Sequence, residues 1–407
     1  MNTIFFLLIF FSFISASLTC HMKELSDAII DSASNAVTLS ISLIGVMSLF
    51  LGLMKVAEEG GILETISRLV RPIMVKLFPD VPPGHPAMGS MIMNISANIL
   101  GLGNAATPFG IKAMQDLNKL NPEPEEATDA MALFLAINTS NVTVLPTGVI
   151  ALRAAAGSSD PAGIIPTTLF ATTCSTLTAI LSAKLYARFF KKKSLSVKQE
   201  TNPVQKEDGY PLWISLLCIG LILSLIPIAI FFGSSISDWI IPTLVLAFLS
   251  YGMVKKVKVY EVFTKGAKDG FWVAVNIIPY LVAILVAVGM FRASGAMNII
   301  VKTIGSFTAK IGLPAEALPM AILRPLSGSG AYAVLASIIK DPKIGPDSYI
   351  GYLVSTMQGS TETTFYVISV YFGAIGIKKM RHTLLAALTA DLAGIMASVF
   401  ICSLLFK

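Results

Sequence analysis

Polar residues interrupt apolar stretches at corresponding places in the two halves of this chain, and that pattern narrows the folds open to it more than any other feature. The first half carries Asn94-Ile-Ser-Ala-Asn98 through Asn104-Ala-Ala-Thr-Pro108, then Asn138-Thr-Ser-Asn141. The second carries Arg324-Pro-Leu-Ser-Gly-Ser-Gly330, then Gln358-Gly-Ser-Thr-Glu362-Thr-Thr364. Apolar runs of roughly 20 residues, the length that crosses a bilayer, surround these interruptions. Inside lipid a backbone that leaves the helix finds no water, so such stretches survive only when packed in protein or facing a wet cavity.

Nine apolar runs are expected to cross, near residues 3–20, 36–56, 128–156, 162–190, 211–232, 235–254, 270–291, 348–376 and 382–406. Composition agrees, with 54% hydrophobic and 13% charged residues and a mean hydropathy of +0.75. A soluble domain carries nearer a quarter charged residues. The fold class expected is therefore an all-α polytopic membrane protein. The net charge of +6 lies at the ends of apolar runs, notably Lys191 to Lys193, Lys255, Lys256, Lys378, Lys379 and Arg381. That is the positive-inside pattern rather than a basic stripe for nucleic acid, which is not an expected partner.

Two amphipathic stretches, Gly60 to Phe78 and Gly295 to Ile311, alternate Arg68, Arg71, Lys76, Lys302 and Lys310 with apolar residues and are expected along the interface. The charged, aperiodic segment 191–210 reads as a linker between halves spanning 1–190 and 211–407. Each half repeats a span, an amphipathic stretch, a polar hairpin-like segment (Pro86 to Leu117; Leu313 to Lys340) and an interrupted helix (Ala127 to Gly157; Ser348 to Gly376). A re-entrant hairpin adds no crossing. Five crossings then separate the repeats, an odd number, which predicts that the halves are inverted; two full spans in place of hairpins would make them parallel.

No residue cluster supports catalysis or metal binding. Cys20, Cys174, Cys218 and Cys402 are scattered, and His21, His85 and His382 are isolated. Gly101-Leu-Gly-Asn-Ala-Ala106 lacks the preceding strand of a dinucleotide site, and Ser327-Gly-Ser-Gly330 lacks the spacing of a nucleophile elbow. The run Ile4 to Leu18 has no basic flank before it and reads as an uncleaved anchor.

The amides and hydroxyls of the interruptions both donate and accept, which suits a polar solute or a partly dehydrated ion. Candidate binding residues are Asn138, Thr139, Ser140 and Asn141 from one interrupted helix and Gln358, Ser360, Thr361 and Glu362 from the other. Asn94, Asn98, Asn104, Arg324, Ser327 and Ser329 are expected to close the site from the hairpins. Pro146 strengthens the case for a break after Asn141. Glu362, an acid in an apolar segment, is expected to be protonated, paired or facing water; it is the candidate for coupling to a proton or sodium ion, and an ion pair with Arg324 is the alternative.

At these motifs the chain resembles known families. The stretch from Lys55-Val-Ala-Glu-Glu-Gly-Gly61 through Asn94 to Gly110 and Asn138-Thr-Ser-Asn141 is similar to spore maturation protein A. The stretches Leu323-Arg-Pro-Leu-Ser-Gly-Ser-Gly330 and Thr356-Met-Gln-Gly-Ser-Thr-Glu-Thr-Thr364 are similar to spore maturation protein B, as though the two were fused. Both belong to the nucleoside-recognition, or Gate, group, whose repeat also occurs in concentrative nucleoside transporters and in ferrous-iron transporter B. The Gln358-Gly-Ser-Thr-Glu362 stretch is similar to the Gly-Gln-Thr-Glu solute motif of the nucleoside transporters, in a different residue order. The resemblance implies a multi-pass protein of the bacterial inner membrane, and no enzyme. The expected function is movement of a small polar or anionic solute, nucleoside-like or an organic acid. The alternative is a non-transporting scaffold of spore or envelope maturation. Beyond a coupling proton or sodium ion no cofactor is expected; the partners are the lipid bilayer and the solute, and a homo-oligomer is compatible with the sequence.

Overall fold

The computed structural model describes residues 2–101, 103–190, 209–276, 278–296 and 308–406. The segments 191–208 and 297–307, which hold most of the linker and of the second amphipathic stretch, lie outside the described residues, as does the side chain of Asn104. The chain is all-helical. The first half contains α1 (Asn2–Thr19), α2 (Met22–Glu59), α3 (Ile62–Leu77), α4 (Pro86–Ile99), α5 (Gly103–Lys119), α6 (Asp129–Thr139), α7 (Thr147–Ala155) and α8 (Ile165–Ala187). The second contains α9 (Leu212–Leu223), α10 (Leu225–Val254), α11 (Val259–Asn276), α12 (Ile278–Ala293), α13 (Leu318–Leu326), α14 (Gly328–Ile339), α15 (Tyr349–Ser360), α16 (Thr364–Gly373) and α17 (Thr383–Phe406).

Both interrupted helices are broken where the polar residues stand, into α6 and α7 and into α15 and α16. Their ends fix their directions. At one face, Lys378 N–H and Ala127 N–H donate across to Glu125 O and Lys379 O at 2.8 and 3.0 Å, and Arg381 pairs with Asp129 at 2.6 Å. The start of α6 therefore meets the end of α16. At the other face, Arg153 at the end of α7 donates to Pro346 O at 2.6 Å and Asp347 at 3.0 Å, just before α15. One broken helix runs from the first face to the second and its counterpart runs back, so the repeats are inverted.

The hairpins enter from opposite faces. Ser90 near the start of α4 bonds Asp116 near the end of α5 at 3.2 Å, while the tip reaches the first break through Val144 N–H to Ile99 O at 3.1 Å. Arg324 near the tip between α13 and α14 donates to Thr361 O in the second break, and Gly312 O before that hairpin accepts from Tyr349 at 2.7 Å on α15. Behind this crossed pair, α8 and α17 pack together; both are long and apolar enough to cross a bilayer unbroken.

Two features depart from the sequence reading. Just beyond the basic flank of Lys255 and Lys256 the chain forms an additional helix, α11, which lies along α2. Gly266 and Gly270, one turn apart, let the backbones approach so closely that a Cβ on either would stand 2.6 Å from α2 backbone atoms at Leu51 or Ser48; small residues at this spacing are how membrane helices close up. The helix break in residues 211–254 falls at Ser224 rather than near residue 233. Pro227 then sits in the first turn of α10, where its missing N–H costs nothing. The amphipathic α3 buries Leu63, Ser67, Val70 and Met74, and Ser67 bonds Ser96 of the hairpin at 3.1 Å, so its apolar stripe is covered by protein.

The two end clusters differ in burial. Arg153 is fully buried and also donates to Ser158 at 3.2 Å and Asp160 O at 3.0 Å. Burial pushes the Asp347 carboxyl up, but bonds from Ser158 and Ser159 and the charge of Arg153 outweigh it and hold the group below the ordinary carboxylate range. That depressed group stabilises the fold above its unfolded pKa, and the contribution is lost as pH falls through the folded value. By contrast Lys378 and Glu125 are 71% and 68% exposed. Arg153→Ala is expected to cost about 3–5 kcal/mol by stranding buried acceptors, and Lys378→Ala about 0.5 kcal/mol or less; thermal unfolding of the solubilised protein measures both, and equal losses would contradict this ranking.

Candidate functional site

The two breaks have different causes. In the first, Asn141 adopts a left-handed backbone with φ 49°, a conformation asparagine tolerates better than most residues. Pro146 five residues on lacks the N–H a continuing helix would need. In the second there is no proline: Thr361 (φ −136°, ψ 165°) and Thr363 (φ −83°, ψ 93°) are extended, and tertiary bonds hold them so. Arg324 takes Thr361 O, Glu362 N–H donates to Thr139 O at 2.8 Å, and Thr364 Oγ1 donates to Asp391 at 2.6 Å. The β-branched threonines favour extended backbone once those bonds exist.

The breaks satisfy each other. Glu362 N–H closes on the first break, and Asn141 Nδ2 donates to Gly359 O at 2.9 Å in the second. Carbonyls freed at Ser140 and Asn141 accept from Thr172 on α8. Around the crossing lies a cavity of about 260 Å³ lined from one half by Asn98, Asn141, Thr143 and Thr147 and from the other by Arg324, Tyr332, Gln358 and Glu362, among others.

Of the residues singled out in the sequence, the structure brings Asn98, Asn141, Arg324, Gln358 and Glu362 to this cavity. The others stand elsewhere. Asn138 is a hub behind the wall: Asn98 Nδ2 and Tyr371 OH donate to its Oδ1 at 3.0 and 3.3 Å, and Asn94 Nδ2 donates to Tyr371 OH at 3.1 Å. Thr139 and Ser140 bond back to their own helix at 2.9 and 2.8 Å. Ser360 meets Ser398 at 3.4 Å, Thr361 turns its hydroxyl to Met357 O at 3.5 Å, and Ser327 caps α14 by accepting from Gly330 N–H at 3.0 Å. Ser329 is exposed.

Several participants have no polar signature in sequence. Tyr332 OH donates to Gly148 O at 2.9 Å across the two halves. Tyr371 fits because Gly110 opposite it has no side chain; a Cβ there would stand 2.1 Å from the phenol oxygen. Asp391 on α17 is buried beside the second break and lies outside every repeated motif.

The cavity has unmet hydrogen-bonding capacity. Gln358 Oε1 is buried with no partner among the described residues. The Glu362 carboxylate is 43% exposed and lies 3.9 Å from the buried Arg324 guanidinium. The lining charges therefore cancel, and the buried groups left without a partner among the described residues are an acceptor, Gln358 Oε1, and a donor, Arg324 Nε. Among the described residues no group of acids, histidines and cysteines is placed to hold a metal ion.

Comparison with known proteins falls on the same elements. The family model for nucleoside recognition, Gate, matches residues 40–156 and 274–378, one match in each half. Spore maturation protein B of Bacillus subtilis (strain 168) is 49% identical over 166 residues, 41% of this chain and 92% of its own length. Spore maturation protein A of the same organism is 46% identical over 172 residues, 42% of this chain and 88% of its own length. Together they are consistent with a fusion of the two. Among solved structures, CNTnw in an inward-facing substrate-bound state is 13% identical with a TM-score of 0.46, covering 99% of this chain and 91% of that one. At that distance no residue role carries over.

Asn141 offers a test of the crossing. Glycine keeps the left-handed backbone and loses the side-chain bonds to Gly359 O and from Thr143 Oγ1, whereas alanine loses the same bonds and adds about 1 kcal/mol of backbone strain. Asn141→Gly is expected to lower the melting temperature less than Asn141→Ala; the reverse order would mean the backbone is not under that constraint.

Proposed function

This chain belongs to the Gate, or nucleoside recognition, family, and from that premise we propose that it carries a small, neutral, polar solute across the bacterial inner membrane by alternating access. The observation that supports this reading most is the cavity at the crossing of two inverted broken helices, with Gln358 Oε1 unpartnered among the described residues and Glu362 half-open to it. Its volume, about 260 Å³, is close to the lower end of small-molecule pockets, about 300 Å³.

Charge favours a nucleoside-like solute over an organic acid. Arg324 and Glu362 neutralise each other at the wall, and Asn98, Asn141 and Gln358 add amides rather than a second cation. An anion would have to compete with Glu362 for the one guanidinium. A neutral solute with hydroxyl or ring N–H donors meets Gln358 Oε1 and the open Glu362 carboxylate, and its own carbonyl or ring-nitrogen acceptors meet Arg324 Nε.

The membrane placement follows from the charged ends. Lys378, Lys379 and Arg381 share a face with the end of α8, which leads into Lys191 to Lys193. Basic residues collect on the cytoplasmic side, so this face is read as cytoplasmic and the Arg153 face as outer. The division into halves at 1–190 and 211–407 belongs to the same reading.

The second reading, a scaffold without cargo, draws on the curated relatives being spore maturation proteins by name. Thermal stabilisation of the solubilised protein by uridine, inosine and malate separates the readings. A nucleoside at 100 times its Kd adds about 2.7 kcal/mol, and the gain is expected to vanish in Gln358→Ala and Glu362→Gln. No stabilisation by either nucleoside, with no counterflow of either in vesicles, would favour the scaffold.

A further inference from the structure

Two described acids are buried away from the repeated motifs and the cavity wall; Asp116 is paired by Lys112 and Lys119 at 3.3 and 2.8 Å, and Asp391 has no such ion pair. It stands in the middle of α17, 3% exposed. Its Oδ2 accepts from Thr364 Oγ1 at 2.6 Å, the first residue of α16, and its Oδ1 has no partner among the described residues. The nearest cation able to act on it is Arg324, whose Nε is likewise buried and without a partner among the described residues. The remaining guanidinium contacts of Arg324 go to Thr361 O and, at 3.9 Å, to Glu362.

Every helix packed on α17 brings little else. On α6 the acid is Asp129, held by Arg381 at the membrane face. On α8 there are the exposed Lys184, the half-buried Cys174 and Tyr186, whose hydroxyl meets Thr389 of α17 at 3.1 Å, and α17 itself carries the buried Cys402. On α15 and α16 the titratable groups are tyrosines, and the break between them supplies Glu362. One guanidinium thus stands between two carboxylates on either side of the second break, and it pairs with the more exposed of them.

We propose that Asp391 holds an exchangeable proton at neutral pH, and that Arg324 is shared between Glu362 and Asp391 according to whether that proton is present. A single hydroxyl bond does not repay removing a carboxylate from water, so with Arg324 engaged by Glu362 the Asp391 side chain is the neutral acid. When the proton leaves to water, the new carboxylate attracts the free Nε of Arg324. Glu362 is then released to the cavity, and Thr361 O loses a donor. No bond other than O–H forms or breaks, and charge balances with the departing proton. Close packing makes α17 sensitive to that change: a Cβ on Gly394 would stand 2.7 Å from Thr361 Cγ2. The use of this proton to drive transport rests on the carriage reading above; its presence does not.

Infrared spectroscopy of the full chain in lipid, titrated with pH and with no solute added, tests the protonation independently of transport. The wild type is expected to show a protonated-carboxyl C=O band at neutral pH that disappears on alkalinisation, to lack it in Asp391→Asn, and to show it at a changed frequency in Asp391→Glu. In Glu362→Gln the freed Arg324 is expected to lower the titration midpoint by about one pH unit or more, as an opposite charge nearby does. A band retained in Asp391→Asn, absent from the folded wild type, or missing in Glu362→Gln even at acid pH would overturn the assignment. An unmoved midpoint in Glu362→Gln would overturn the sharing of Arg324.

Discussion

Everything in this molecule is arranged around backbone groups that leave a helix where no water can receive them. A break in a membrane helix strands carbonyls and N–H groups at several kcal/mol each unless the protein supplies partners. Here the partners come from the other break: Glu362 N–H takes Thr139 O, and Asn141 takes Gly359 O. The hairpin tips complete the set through the Arg324 guanidinium and the Ile99 carbonyl. The cavity is what remains between two interruptions that must touch to be stable and yet are too polar to fill the space with side chains.

The repeat is symmetric in outline and unequal in mechanism. The first break is written into its own chain by Pro146 and the left-handed Asn141, so it persists whatever surrounds it. The second is extended only because Arg324, Thr139 and Asp391 hold it. Remove those bonds and nothing in Thr361 to Thr364 forbids a helix beyond a modest propensity cost. The second half is therefore the more responsive side of the crossing, and it is also the side that carries the buried Arg324 beside the cavity.

Much of the architecture was legible from residue pattern alone. Polar interruptions inside apolar runs located both breaks and both hairpins, and the odd number of crossings implied the inversion that the end contacts now show. What pattern could not reveal was the direction of individual side chains. Asn138 and Asn141 look equivalent in sequence, yet one braces Tyr371 and Asn98 behind the wall while the other lines the cavity. Thr139, Ser140 and Ser360 bond locally, as hydroxyls in membrane helices commonly do. Asp391 was missed because it stands alone in a uniformly apolar run with no counterpart in the other half. Helix α11 was missed because Lys265, Lys268 and Asp269 mask a glycine seam that only contact with α2 explains.

The reciprocal bonding of the breaks also bears on how such a protein can be encoded. Sever the polypeptide between residues 190 and 209 and each fragment keeps its own hairpin and its own kinked helix. Neither keeps the acceptor or donor that its kink requires, since Thr139 and Glu362, and likewise Asn141 and Gly359, come from different fragments. Two such fragments made separately would recover these four partners only on meeting in the same bilayer, and joining them in one reading frame guarantees equal supply.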